Sequence, residues 1–280
     1  MINTIPILTA VKILHCYGTN SLPLQVLCDD NEVYVIKTMF KSHPPFEDLI
    51  NETLCNYFLQ CWDIPVPEPA IIKFDNILID QYLAEGGIIS KKYTSFTFNN
   101  HFFFGTKFLQ FTTEIDFYNL SLKDKRDYKK YQNPLDIVRI GIFDKWVANT
   151  DRRSDNSNIL MDTSTEKFRF IPIDNTQAFA CQNDYKALKI AIMDTVNNKS
   201  ILNAPITKSI CIFADPKIFS ILDKEIIAKI EKTIDLIEPI FENLPSDFGL
   251  SKKGKAKIKE ILSNKERNTI VSSFHINNLK

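Results

Sequence analysis

The chain is poor in glycine, with seven in 280 residues, and no GxGxxG pattern occurs. That excludes the glycine-rich cradle in which many backbone N–H groups close on a phosphate. Histidine is equally sparse, at positions 15, 43, 101 and 275. The six cysteines, Cys16, Cys28, Cys55, Cys61, Cys181 and Cys211, form no CxxC pair. Together these exclude a zinc centre, and thiols scattered through apolar segments read as buried and reduced, as in the cytoplasm. Charge of one sign is missing too: 34 basic residues balance 34 acidic ones. No overall basic field therefore draws nucleic acid or an anionic membrane. No run reaches the roughly 18 apolar residues of a membrane span. The opening residues lack a charged n-region and a small-residue cleavage site, so they read as a first strand rather than a signal peptide.

What is present is an ordinary soluble composition, 44% hydrophobic and 24% charged, long enough for one large domain or two packed lobes. Residues 5–15, 22–28 and 32–40 read as strands, the last two joined by the turn Asp29-Asp30-Asn31, whose side chains bond their own backbone. Apolar residues from Phe46 to Cys61 recur at helical spacing. The rigid Pro65–Pro69 stretch follows, then a second hairpin, 70–74 and 77–83, around Asp75-Asn76. Glu85-Gly86-Gly87 is the candidate hinge. The charge run Lys123–Lys130 reads as a solvated face, with a docking patch as the alternative. Asn133-Pro134 marks the start of a helix reaching Ala148. Two strands, 158–161 and 168–173, precede helices at 223–243 and 252–262 and a polar tail, 264–280.

The chain is organised around residues 142–179. Asp151, at the mouth of a helix-to-strand loop, has the chemistry to align a hydroxyl and accept its proton. Asn156 follows five positions later, and its amide oxygen is a hard ligand suited to Mg²⁺. Asp174 ends an apolar strand, and two carboxylates placed together call for a cation between them. Upstream, Lys37 interrupts the apolar strand Tyr34–Lys37 and needs an anionic partner, such as a phosphate. Glu52, on the next helix, is its candidate ion-pair partner, although it lies nearly opposite the main apolar stripe. The plainer alternatives are a polar turn for Asp151 and Asn156, a turn cap for Asp174 and a solvated Lys37. The order Lys, Glu, Asp, Asn, Asp is more telling than any one of them.

In this order, with the Asn51-Glu52 pair, the Pro65–Pro69 linker and the core from Phe143 to Phe179 (FDxWVANxDRxxxNxNIL…PIDxxxAF), the chain resembles the HipA-like kinases, in particular their short stand-alone members. The resemblance spans roughly residues 10–180. It implies an α+β, bilobal protein-kinase-like fold: residues 1–86 as an N-lobe with a five-stranded antiparallel sheet and one helix, 87–263 as a mainly helical C-lobe, and the tail beyond. It implies an ATP- and Mg²⁺-dependent phosphotransferase acting on a Ser or Thr hydroxyl of a protein. Asp151 would be catalytic, Asn156 and Asp174 metal ligands, and Lys37 with Glu52 the phosphate-binding pair. Gly18, Thr19, Asn20 and Ser21 would stand in for the glycine-rich loop, with Thr19 and Ser21 as candidate self-phosphorylation sites. An antitoxin-like partner accompanies several relatives. The chain departs from the wider kinase pattern in having Asn149-Thr150 before Asp151 and Asn175-Thr176 after Asp174. Two alternatives stay open: a weak or idle kinase-fold binding module, and a kinase of lipid headgroups or small molecules.

Overall fold

A computed structural model describes residues 3–19, 21–98, 101–116, 120–181, 184–190, 200–274 and 276. Asn20, one of the candidate loop residues, lies outside them. The chain divides into two compact units, and the first comprises residues 1–53, 67–110 and 243–250.

Five strands build the first unit: β1 (Ile7–Cys16), β2 (Leu24–Cys28), β3 (Val33–Lys37), β4 (Pro69–Phe74) and β5 (His101–Lys107). They close into a barrel in the order β1-β2-β3-β5-β4. The pairings are antiparallel except β1 with β4, which is parallel, Ile7 opposite Ile71. The expected all-antiparallel sheet is thus corrected, because the closing pair joins two strands that run the same way. Strand alternation sends Leu24, Val26 and Cys28 of β2, and Tyr34 and Ile36 of β3, into the core. Lys37 lies on the other face of β3. Gly105 lets β4 and β5 approach, since a Cβ there would stand 2.5 Å from Ile72 Cδ1.

Three expectations fail in this unit. Residues 77–83 are not a strand but part of helix α2 (Ile77–Ala84), which follows α1 (Glu47–Cys61). Asp75 Oδ1 accepts the Ile77 N–H, and Asn76 O accepts that of Ile79 at 2.8 Å, so the turn opens a helix. A short apolar run fits either periodicity, and β4 finds its partner in β5 instead. Glu85-Gly86-Gly87 is not a hinge between units but the end of α2: Gly86 has φ +85° and the Gly87 N–H donates to Tyr82 O at 2.9 Å, a glycine C-cap. Finally, the unit runs past residue 86, because β5 pairs with both β3 and β4.

The second unit comprises residues 54–66, 111–242 and 251–280. Its sheet is β6 (Thr112–Glu114), β7 (Ile159–Asp162) and β8 (Arg169–Pro172), antiparallel throughout. After the short helices α3 (Lys91–Thr94, in the first unit) and α4 (Lys125–Tyr128) comes α5 (Asp136–Val147). It starts beyond the Asn133-Pro134 signal, because the Asp136 N–H bonds Asn133 O in a preceding turn. Its aromatic face supplies Phe143 and Trp146, which pack on Trp62 with ring centroids 5.4 and 5.6 Å away. Helices α6 (Pro205–Phe213), α7 (Ile218–Asp235), α8 (Ile237–Glu242), α9 (Lys252–Leu262) and α10 (Lys265–Thr269) complete it. The single helix expected over 223–243 is two, because Pro239 cannot continue the hydrogen-bond ladder of α7.

The tail is also corrected, as far as its described residues go. Asn264 caps α10 by accepting the Arg267 N–H at 2.8 Å. Arg267 is buried, 2% exposed, and its Nη2 donates to the carbonyls of Lys145 and Trp146 at 2.9 and 2.7 Å. A guanidinium thus satisfies the open carbonyls at the end of α5, where the helix dipole favours a cation. No helix among the described residues is long and apolar enough to cross a membrane.

Candidate active site

The site residues fall in both units. In the first, Lys37 Nζ stands 3.6 Å from Glu52 Oε1, with their side chains 18% and 4% exposed. The lysine expected to need an anion has one, and the less apolar side of α1 is the side that carries it. The turn between β1 and β2 holds Gly18, Thr19 and Ser21. Its base is closed by the Tyr17 N–H to Pro23 O and the Leu22 N–H to Thr19 O, both 3.0 Å. The left-handed residue of this turn is Leu22, φ +48°; a Cβ on Gly18 would meet nothing within 4 Å. The loop therefore needs no glycine for its own shape.

Tyr93, which the sequence did not single out, anchors that turn. Fully buried, its hydroxyl donates to Leu22 O and lies 2.6 Å from Thr38 Oγ1. Burial pushes its phenol well above the ordinary range, with the Thr38 hydrogen bond pulling against it.

In the second unit, α5 ends at Ala148 in the left-handed conformation, φ +51°, with the Asn149 N–H returning to Asp144 O at 2.8 Å. Asn149 Oδ1 then accepts the Asp151 N–H at 3.1 Å. Asn158 Nδ2 donates to Asp151 Oδ2 at 3.1 Å, and Asn156 Nδ2 to Asp151 O at 3.3 Å. Three asparagines thus fix the half-buried Asp151, main chain and side chain.

Arg152 is the hub beneath this loop. Its side chain is 0% exposed and pairs with Asp144 of α5. Nε donates to Asn158 O at 3.2 Å, while Nη2 reaches Ile173 O at 2.8 Å and Asn175 Oδ1 at 3.0 Å. One guanidinium therefore ties the helix before Asp151, the loop after it and the strand end before Asp174. Burial lifts the Asp144 carboxyl to about 7, with the Arg152 guanidinium pulling the other way. Sequence reasoning gave Asp144, Arg152 and Asn158 no role. Their signal was an Asp between Phe143 and Trp146 on the aromatic face of a helix and an Arg next to the key Asp.

Asp174 has φ +59° and accepts the Thr176 hydroxyl on Oδ1 at 2.8 Å. Five of the eight non-glycine positive-φ residues among those described lie between Ala148 and Ala180. Such conformations cost roughly 1–3 kcal/mol each and persist where the surroundings over-determine them. Among the described residues, no group of three or more His, Cys, Asp or Glu gathers to hold a metal. The donors on hand are Asp174 and Asn156, whose amide nitrogen is committed to Asp151 O, so that its oxygen is the end left for a ligand. One carboxylate and one amide oxygen suit Mg²⁺, which keeps several waters and takes further oxygens from substrate phosphates.

A family model described as HipA-like kinase matches residues 17–270, and the chain belongs to that family. Among solved structures the fold is similar to the proinflammatory kinase CtkA of Helicobacter pylori, with TM-score 0.56 and 15% identity over 98% of each chain. It is similar also to a Golgi casein kinase, with TM-score 0.50 and 14% identity over 99% of this chain and 74% of that one. No curated protein sequence matches significantly. At these identities the structural likeness speaks for a kinase-like fold, and the family match for phosphoryl transfer as the class of activity.

Proposed function

We propose that the chain is an ATP- and Mg²⁺-dependent kinase that phosphorylates a serine or threonine hydroxyl of a protein. The observation that carries this reading is the fixed loop around Asp151. Asn158 holds its Oδ2, and Oδ1 receives no hydrogen bond among the described residues, so one carboxylate oxygen is presented to an incoming hydroxyl.

Phosphoryl transfer asks little covalent chemistry of a protein and much positioning. The acceptor oxygen forms a bond to the γ-phosphorus, the bond from that phosphorus to the bridging oxygen breaks, and ADP leaves. Asp151 aligns the hydroxyl and takes its proton. Lys37, held by Glu52, pairs with the non-reacting phosphates and keeps its orientation through the ion pair. Asn156 and Asp174 would hold Mg²⁺, which would supply neutralisation of phosphate charge. The loop with Gly18, Thr19 and Ser21 covers the phosphates with fewer close backbone N–H groups than a glycine-rich loop would.

The experiment is thermal unfolding with and without Mg·ATP. Nucleotide at a hundred times its Kd stabilises the native state by about 2.7 kcal/mol. We expect a clear rise in Tm that Asp174→Asn abolishes; no rise at millimolar Mg·ATP contradicts the nucleotide site.

A further inference from the structure

In the second unit, a concave surface lies where α4 meets the C-terminal end of α6. A cavity of about 550 Å³ is lined there by Lys125, Tyr128, Ile212, Phe213 and Pro216, among others, within the usual ligand-pocket range of about 300–1,000 Å³. Ile212 is 76% exposed, a large apolar side chain held out to water at the edge of a concave surface.

The charges around it are segregated. Residues 123–130 carry five basic and two acidic side chains, in a chain whose overall balance is zero. The two acids are used internally: Asp124 caps α4 and pairs with Arg126, and Asp127 pairs with Lys130 at 2.8 Å. Lys123, Lys125 and Lys129 make no ion pair among the described residues. Lys208, one turn before Ile212 on the same face of α6, and Lys217 add two more cations. Asp215, also at the cavity, accepts the Lys217 N–H at 2.9 Å as a turn cap.

We propose that this groove docks an extended, acidic peptide segment of a protein partner, with a large apolar side chain in the cavity and carboxylates flanking it. Complementary charge sets the partner's sign and speeds encounter; the apolar lining of Ile212, Phe213 and Pro216 sets its character. A phosphate backbone gains nothing from that apolar lining, which favours a peptide over nucleic acid, while Asp215 opposes any anion alike. The docking needs no phosphate transfer, so it stands or falls apart from the kinase reading.

The test is fluorescence anisotropy on the full chain with a labelled peptide in which Glu alternates with Leu, at physiological salt. Saturable binding is expected. Lys125→Glu and Ile212→Asp, both at exposed positions, should each weaken it about tenfold or more, while Lys252→Glu, on α9, leaves it unchanged. The proposal is overturned if the peptide fails to saturate, if Ile212→Asp binds like the parent, or if Lys252→Glu is as damaging as Lys125→Glu. It is overturned equally if a single-stranded oligonucleotide or a phosphatidylserine vesicle displaces the peptide and binds more tightly.

Discussion

Replacing Arg152 by Met isolates the hub that holds the Asp151 loop. The side chains are similar in length, so packing is largely kept while the charge and its hydrogen bonds go. Asp144 is left 3% exposed without its cation, and removing one partner of a buried pair costs about 3–5 kcal/mol. Against a total of roughly 5–15 kcal/mol for a folded domain, the loss is large but measurable in urea. Asn158 O keeps the Ile173 N–H at 2.9 Å, whereas Ile173 O loses the Arg152 donor, at about 1–3 kcal/mol for an unsatisfied buried group. The double variant Asp144→Leu with Arg152→Met removes the stranded charge, and should recover all but that residual. The pH dependence carries a sign. Burial already raises the Asp144 carboxyl from 3.8 to about 7 in the folded chain, and loss of Arg152 raises it further. The folded state then holds a proton that the unfolded chain releases, so this contribution is full below the unfolded value and disappears as pH rises through the folded one. The deficit of the single variant should therefore be smaller at about pH 6 than at about pH 8. A loss below about 1 kcal/mol, a pH-independent deficit, or a double variant no better than the single refutes the reasoning.

Other expectations follow from the same geometry. Gly18→Ala should leave stability unchanged, because the new Cβ meets nothing, yet weaken nucleotide binding if the loop covers phosphates. Gly249→Ala should destabilise by about 1–3 kcal/mol in urea unfolding, since Gly249 has φ +75° and its Cβ would stand 2.4 Å from Pro44 Cβ; Gly249→Ala as stable as the parent contradicts this. Glu52→Gln leaves Lys37 without its carboxylate, so we expect KM for ATP to rise and transfer to slow while the fold survives. Unchanged kinetics would deny the pair its role.

Much of the fold was open to the sequence because strand alternation and helical period report burial directly. Residues 22–28, 32–40 and 252–262 were readable for that reason, and β2, β3 and α9 occupy them. Residues 77–84 were not, since a short apolar run suits a helix or a strand until a partner is chosen, and the partner β5 lies beyond a stretch with no clear period. Barrel closure by the parallel β1–β4 pair is a long-range choice that local pattern does not carry. At the site, Lys37 and Glu52 were legible as a lysine in an apolar strand and an acid on the following helix. Arg152 and Tyr93 were not, because their roles rest on the distant carbonyls of Ile173 and Leu22, and Asp144 was not, because its role is the pair with Arg152. Arg267 was hidden in the same way: a basic residue in a polar tail says nothing of the helix end it caps.

Phosphate transfer through Asp151 and Asp174 is tested most directly by radiolabelled ATP with a lysate as acceptor. The parent chain should label one or more proteins on serine or threonine, and Asp151→Asn and Asp174→Asn should each lose the signal while melting like the parent. Labelling that survives both substitutions, or a parent chain that binds Mg·ATP and transfers nothing, contradicts the account.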